Sequence, residues 1–358
     1  MLTGNSYKSE SMDSEFYVPI PLPYKDRPVG VSGLMRVKDE EEYVEASIDS
    51  VIDVLDELII CYQECSDDTP NILKRKQQEY PDKIKLYYYA PTVYAHNLTP
   101  EEYEYAYNLP DDSPNLLSGY YNYTLSKATY RYAVKIDADQ IYFTDEMKQL
   151  CDAYRSDKKM KLSWQEKLAG KCLPPPSMLF TWKKRVCIHF LSLIGNFETY
   201  YWQFVLKTIT NEKCIAFLSG IQLHRIGEEL FAGTGDRYGG KASFYNGTED
   251  LCFFEITSDT YYYLGRGSSF CHSLIEAFYI GNGMRLYAGF MWFHMRGCKK
   301  AFIKYNVKLK PVSYEWFKRV SSQKLKHTGI GAFSKKYEVY FSFFHDYFKL
   351  PDIHKIIK

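Results

Sequence analysis

Val29-Gly30-Val31-Ser32-Gly33-Leu34-Met35-Arg36-Val37 opens an alternation that runs on to Tyr89. After this apolar stretch, Asp39–Asp56 places Val44, Ile48, Val51, Ile52 and Leu55 on one helical face. Glu57–Tyr62 (ELIICY) is a second buried strand, Ser66–Pro70 a turn, Asn71–Tyr80 a charged helix and Lys83–Tyr89 a third strand. Continuous apolar strands separated by helices signal a parallel sheet with helices on its faces. The predicted fold class is therefore α/β, Rossmann-like.

Working outward, residues 1–28 read as an extension, because Pro19, Pro21, Pro23 and Pro28 forbid regular helix. Residues 91–115 read as an acidic, Tyr-rich loop, followed by a helix over Leu116–Tyr130 and a strand over Tyr132–Ile136 that ends at Asp137-Ala138-Asp139. Residues 145–158 are predicted helical. Pro174-Pro175-Pro176 breaks the pattern and marks a helical, aromatic insert over 161–213. Short strands and Gly-rich loops follow, then a helix over Ser269–Ile280, a strand over Tyr287–Met295 and a basic, aromatic tail. The expected division is an extension (1–28), a first half (29–160), the insert (161–213), a second half (214–300) and a C-terminal extension (301–358).

Composition narrows the function classes. The 358 residues carry 45 Lys+Arg against 44 Asp+Glu, a net charge of +1, so a general basic grip on nucleic acid is not expected. Hydrophobic residues at 46% and charged residues at 25% are values of a folded chain. Aromatic content of 17%, with 34 Tyr, suits wet clefts and carbohydrate contacts as well as ordinary cores. Nine Cys without a CxxC spacing read as reduced, buried thiols in a cytoplasmic protein, and the polar N-terminus has no apolar signal core. Val186–Leu206 is long enough to span a bilayer, but His189, Asn196, Glu198 and Gln203 would be costly there. Its basic leader Trp182-Lys183-Lys184-Arg185 suits either peripheral contact with anionic headgroups or a solvated turn before a core helix.

Open α/β sheets bind ligands beyond the carboxyl ends of their strands. Those ends carry Arg36-Val37-Lys38-Asp39-Glu40-Glu41, Gln63-Glu64-Cys65-Ser66-Asp67-Asp68 and Asp137-Ala138-Asp139-Gln140. Two acidic side chains on a turn leaving a buried strand invite a hard cation, which can neutralise a diphosphate leaving group. Neither GxxxxGK[ST] nor GxGxxG follows the first strand, so the common phosphate cradles are missing.

These stretches resemble the GT-A fold glycosyltransferases, most closely the bacterial family 2 type. Arg36–Glu41 matches RxKNEE, Gln63–Thr69 matches DDGSxDxT, and Tyr121-Asn122 with Ala128 and Asp137-Ala138-Asp139 matches the RNxGxxxAxG-to-DxD interval over about residues 29–150. Gln63, Cys65 and Tyr130 depart from the family pattern. The resemblance implies a GT-A mixed sheet and a metal-dependent, inverting transfer from a nucleotide-diphosphate sugar to a glycan or lipid-linked acceptor. It implies Mn²⁺ or Mg²⁺ as cofactor and a cytoplasmic setting, at the inner face of the membrane, in surface polysaccharide or lipooligosaccharide assembly.

By the same resemblance, Asp137, Asp139 and His294 would hold the metal. Arg36, Gln63, Asp68, Asn122 and Asp137 would contact the nucleotide sugar. Asp250, then Glu249, then Asp236 would be the base that takes the acceptor proton. Arg296 shares a strand face with His294 and would meet phosphate, with His224-Arg225 as an alternative; Tyr261–Tyr263 and Trp292 would stack on sugar or pack. Two rivals remain: a nucleotidyltransferase, disfavoured by the lack of a Gly-rich basic loop after the first strand, and a non-catalytic binding module.

Overall fold

The computed structural model describes residues 15–23, 25–172, 197–226, 229–232, 245–246, 252–265, 273–281 and 283–303. In chain order its elements begin with β1 (Val31–Val37), α1 (Val44–Val51), β2 (Glu57–Tyr62), α2 (Thr69–Glu79), β3 (Ile84–Tyr88), α3 (Pro100–Tyr107) and α4 (Leu117–Ser126). Next come β4 (Tyr132–Asp137), β5 (Gln140–Tyr142), α5 (Thr144–Arg155), α6 (Trp164–Cys172) and α7 (Phe197–Glu212). The remainder is β6 (Ile215–Ile226), β7 (Glu229–Ala232), β8 (Tyr245–Asn246), β9 (Cys252–Glu255), β10 (Thr260–Leu264), β11 (Glu276–Ile280), β12 (Arg285–Gly297) and α8 (Lys300–Ile303). The architecture is mixed α/β.

The chain divides into two compact units, one of residues 1–39, 56–136 and 254–283, the other of 40–55, 137–253 and 284–358. In the first, β1 pairs β2 and β2 pairs β3 in parallel, and β4 lies on the other side of β1. The apolar runs foreseen from sequence are the buried strands, with Val31, Leu34, Met35, Leu58, Ile59 and Ile60 inside. Glu57 is buried among them and is satisfied by Ser32 Oγ, Lys85 Nζ and both the backbone and hydroxyl of Thr129. A buried carboxylate is tolerated only with such partners. Gly30 is required by contact: a Cβ there would lie 2.2 Å from the Tyr130 ring.

Two expectations fail in this unit. Residues 91–115 are not all loop, for α3 starts on a capping box in which Thr99 accepts from Glu102 N and the Glu102 side chain accepts from Thr99 N, with Pro100 in the first turn. The helix predicted over Ser269–Ile280 is, where described, the strand β11, paired antiparallel with β10. Phe278 stacks on Tyr262 with centroids 4.2 Å apart, so cross-strand aromatic packing prevails over helical periodicity.

In the second unit the long strands β6 and β12 run parallel, β5 pairs β12 antiparallel, and β7, β8 and β9 pair β6 antiparallel. Gly220 underlies Trp292, whose indole would sit 1.9 Å from any Cβ at that position. Trp292 is fully buried, which makes it core rather than a sugar platform. The Val186–Leu206 stretch lies outside the described residues up to 196; beyond that, α7 packs Tyr201 into the core. Among the described residues no helix is long and apolar enough to cross a membrane.

Candidate active site

The turn Asp137-Ala138-Asp139 joins β4 to β5, and its small central residue is buried. Tyr142 Oη accepts from Asp137 N at 3.0 Å and donates to Gln140 Oε1 at 2.7 Å. Gln140 Nε2 in turn donates to Asp137 Oδ2 at 2.9 Å, and Ser47 Oγ donates to the Asp137 carbonyl at 3.0 Å. Met295 N donates to the Asp139 carbonyl at 2.8 Å, which ties the turn to the end of β12. The second unit thereby holds the turn by backbone and side chain alike.

Asp139 faces three groups from distant stretches of the sequence. Its Oδ1 lies 3.3 Å from His294 Nε2 and its Oδ2 lies 2.8 Å from Lys299 Nζ. Lys299 also donates to Glu40 Oε1 at 2.7 Å, and the far nitrogen of His294, Nδ1, lies 2.6 Å from Gln222 Oε1. Burial opposes ionisation of Asp139, yet His294 and Lys299 outweigh it and hold its carboxyl below the usual range. Burial, with Asp139 adding to it, pushes Glu40 up to about 7 against the pull of Lys299. The same two carboxylates raise Lys299 against the effect of its burial.

The expected pairing of Asp139 with His294 is present, separated by 155 positions in sequence and brought together by β12. Carboxylate and imidazole suit a divalent ion such as Mn²⁺, and Lys299 balances only part of the charge of Asp139 and Glu40. The residues therefore fit such an ion, with Asp139 and His294 to hold it. Asp137 is near enough for its charge to act on Glu40, while the three potential ligands that lie within 4.8 Å of one another among the described residues are Asp39, Cys65 and Asp67. There, Asp39 Oδ1 already accepts from Ser66 N and Oγ on an exposed turn.

Apart from Asp137, the nucleotide candidates belong to the first unit. Arg36 stacks its guanidinium 3.2 Å from the centroid of the Tyr121 ring, with Lys135 Nζ 5.2 Å from the same ring. Gln63 Nε2 donates to the Pro91 carbonyl at 3.0 Å. Asp68 is exposed at the N-terminus of α2 and accepts from Asn71 Nδ2. Asn122 is buried, and its amide both donates to Tyr262 O and accepts from Tyr262 N at 2.8 Å. That is the pairing a neighbouring strand would make, so the amide supports β10. Asp236, Glu249 and Asp250 lie outside the described residues, as does the His224 side chain. Tyr263 is exposed beside Tyr261 on the outer face of β10, whereas Tyr262 is buried.

Glu40, Lys299, Gln222 and Gln140 have no role that the sequence alone would assign. Lys299 carries a weak signal, a lysine five residues beyond His294 at a strand's end. Gln222 carries none, because only the in-register pairing of β6 with β12 sets it beside His294.

Comparisons with known proteins reach part of the chain. Residues 24–163 match the family model described as beta-1,4-N-acetylgalactosaminyltransferase (CgtA). The matched stretch contains the motifs over about residues 29–150 that carry the resemblance to glycosyltransferases. No curated protein matches the chain. Solved structures that resemble it include glucosyl-3-phosphoglycerate synthase from Mycobacterium tuberculosis with Mn²⁺, UDP-glucose and phosphoglyceric acid, at 18% identity and a TM-score of 0.20, covering 32% of this chain and 34% of that one. The same synthase with Mn²⁺, UDP and phosphoglyceric acid gives 17% identity and 0.24, covering 37% and 41%. A mycobacterial protein gives 17% and 0.21, covering 32% of each chain. The chain thus spans about a third of the length of these structures, and at such scores the likeness says nothing about its substrates.

Proposed function

We propose that the protein transfers a sugar from a nucleotide-diphosphate donor to a glycan or lipid-linked acceptor, with a divalent metal held by Asp139 and His294. The observation that carries this reading is the conjunction of two facts. A glycosyltransferase family model matches residues 24–163, and the acidic turn within that segment faces an imidazole in the folded chain. The bound ion would neutralise the diphosphate as it leaves. Arg36, Gln63 and Asp68 are proposed nucleotide contacts, Asp137 orients the turn, and Asn122 acts through Tyr262.

In the transfer, the acceptor hydroxyl oxygen attacks the anomeric carbon, the bond to the diphosphate breaks with its electron pair, and a carboxylate takes the proton. Asp250 is the proposed base, with Glu249 and Asp236 as alternatives. The matched family's name supports an N-acetylhexosamine as the sugar, and a β-linked product from an α-linked donor implies inversion. With such an acceptor the transfer would belong to bacterial polysaccharide or lipooligosaccharide assembly at the cytoplasmic face of a membrane. The basic, aromatic Trp182–Arg185 leader supports peripheral contact there.

Incubating the full chain with labelled UDP- and GDP-sugars, with and without Mn²⁺, tests the reading. Metal-stimulated release of nucleoside diphosphate supports it. Pyrophosphate release from a nucleoside triphosphate and a sugar phosphate would indicate the nucleotidyltransferase instead.

A further inference from the structure

We propose that Gln222 is a positioning residue for the cation site: it fixes the tautomer of His294 that turns the Nε2 lone pair towards Asp139. The inference rests on the reading of Asp139 and His294 as the ligand pair. Gln222 and His294 are register partners on the parallel strands β6 and β12, so backbone pairing sets the distance between their side chains. Gln222 Oε1 lies 2.6 Å from Nδ1, while its Nε2 faces the Leu223 carbonyl at 3.4 Å. This places the amide oxygen, not the nitrogen, against the ring.

The amide oxygen and the carboxylate both only accept, but the contact at Nδ1 is a short hydrogen bond of 2.6 Å against 3.3 Å at Nε2, so the single N–H of a neutral ring belongs on Nδ1. A neutral imidazole has one N–H, and Nε2 is then a bare acceptor 3.3 Å from the Asp139 carboxylate oxygen. Two acceptors facing each other at that distance are bridged either by a second ring proton, the arrangement that holds the Asp139 carboxyl low, or by a metal ion in its place. Lys299 answers the other Asp139 oxygen. Gln140, the register partner of His294 on β5, has its amide engaged with Asp137 and Tyr142. A carbonyl oxygen behind a ligating histidine is a common means of orienting the ring and raising its basicity.

Two measurements on the full chain test the proposal. In ¹⁵N-histidine-labelled, metal-free protein, at a pH where imidazole is neutral, His294 is assigned by the signals lost in His294→Ala. Its Nδ1 should be protonated and its Nε2 bare; the opposite tautomer overturns the proposal with no Gln222 variant required. Mn²⁺ titration followed by electron paramagnetic resonance should then show affinity falling about 10–100-fold in Gln222→Leu. Gln222→Glu, which can accept the same N–H, should stay within about threefold of the parent. Undiminished binding by Gln222→Leu would sink the role of Gln222 alone. A parent chain that binds no Mn²⁺ would sink the ligand-pair reading and this inference with it.

Discussion

Asn122 illustrates how a motif residue can serve a site without touching its ligand. Its two hydrogen bonds to the Tyr262 backbone are buried, so truncation leaves a donor and an acceptor without partners. Asn122→Ala should cost about 2–3 kcal/mol of stability in chemical denaturation. Asn122→Asp, which keeps the acceptor, should cost less. Nucleotide affinity, measured below the melting range, should change little in either. The motif interval from Asn122 to Asp137 is legible in the sequence because Asn122 lies within α4 and Asp137 ends β4, the next element. What Asn122 binds is not, because Tyr262 lies 140 positions away. Asp139 and His294 are legible as residue types with a preference for metal. Lys299, Glu40 and Gln222 are not, because their significance comes only from the partners that folding gives them.

At the scale of elements, strands are easier to foresee than helix ends. β2 stands where the run ELIICY places it, since five consecutive buried positions admit few alternatives. α1 begins at Val44 rather than near Asp39, because the segment after β1 first turns through Asp39, whose φ is +54°. α3 is hidden by its acidic, Tyr-rich composition, although Thr99-Pro100-Glu101-Glu102 spells its cap. Thr99→Ala should lower stability by about 1 kcal/mol and speed amide exchange in the first turn of α3. Gly220→Ala should be far more damaging than a helix-cap change. Its methyl would collide with the Trp292 indole, and overpacking of that kind costs roughly 1–3 kcal/mol or more in a thermal or denaturant melt.

α5 adds a pH effect. Burial pushes Glu146 up to about 7 from its ordinary 4.5, with Asp145 adding to the shift and a backbone hydrogen bond opposing it. An acid whose folded pKa is raised favours the fold while protonated. Its contribution is full below about pH 4.5 and is lost as pH rises through 7. Glu146→Gln should flatten that part of the stability–pH curve, gaining about 1 kcal/mol at pH 8 relative to the parent.

For the molecule as a whole, the alternation over residues 29–89 is enough to specify a parallel α/β core, because each strand there pairs with a near neighbour in sequence. The second unit is harder to foresee because β6 and β12 pair across some seventy positions, and no local periodicity encodes a partner that remote. Each unit carries its own cluster of candidate groups. The first offers a guanidinium stacked on a tyrosine and an exposed acidic turn; the second offers a buried carboxylate facing imidazole and ammonium. Among these, the Asp139 cluster bears the most chemical consequence, because an ion held there would set where a diphosphate departs.

Calorimetric titration of UDP and GDP into the full chain, with and without Mn²⁺, tests the role of Asp139 most directly when repeated on Asp139→Asn. One of the nucleotides should bind in the presence of Mn²⁺ and weaken at least about 100-fold in the variant, a loss of about 2.7 kcal/mol. Nucleotide binding that is indifferent both to Mn²⁺ and to the loss of the Asp139 charge would contradict the account.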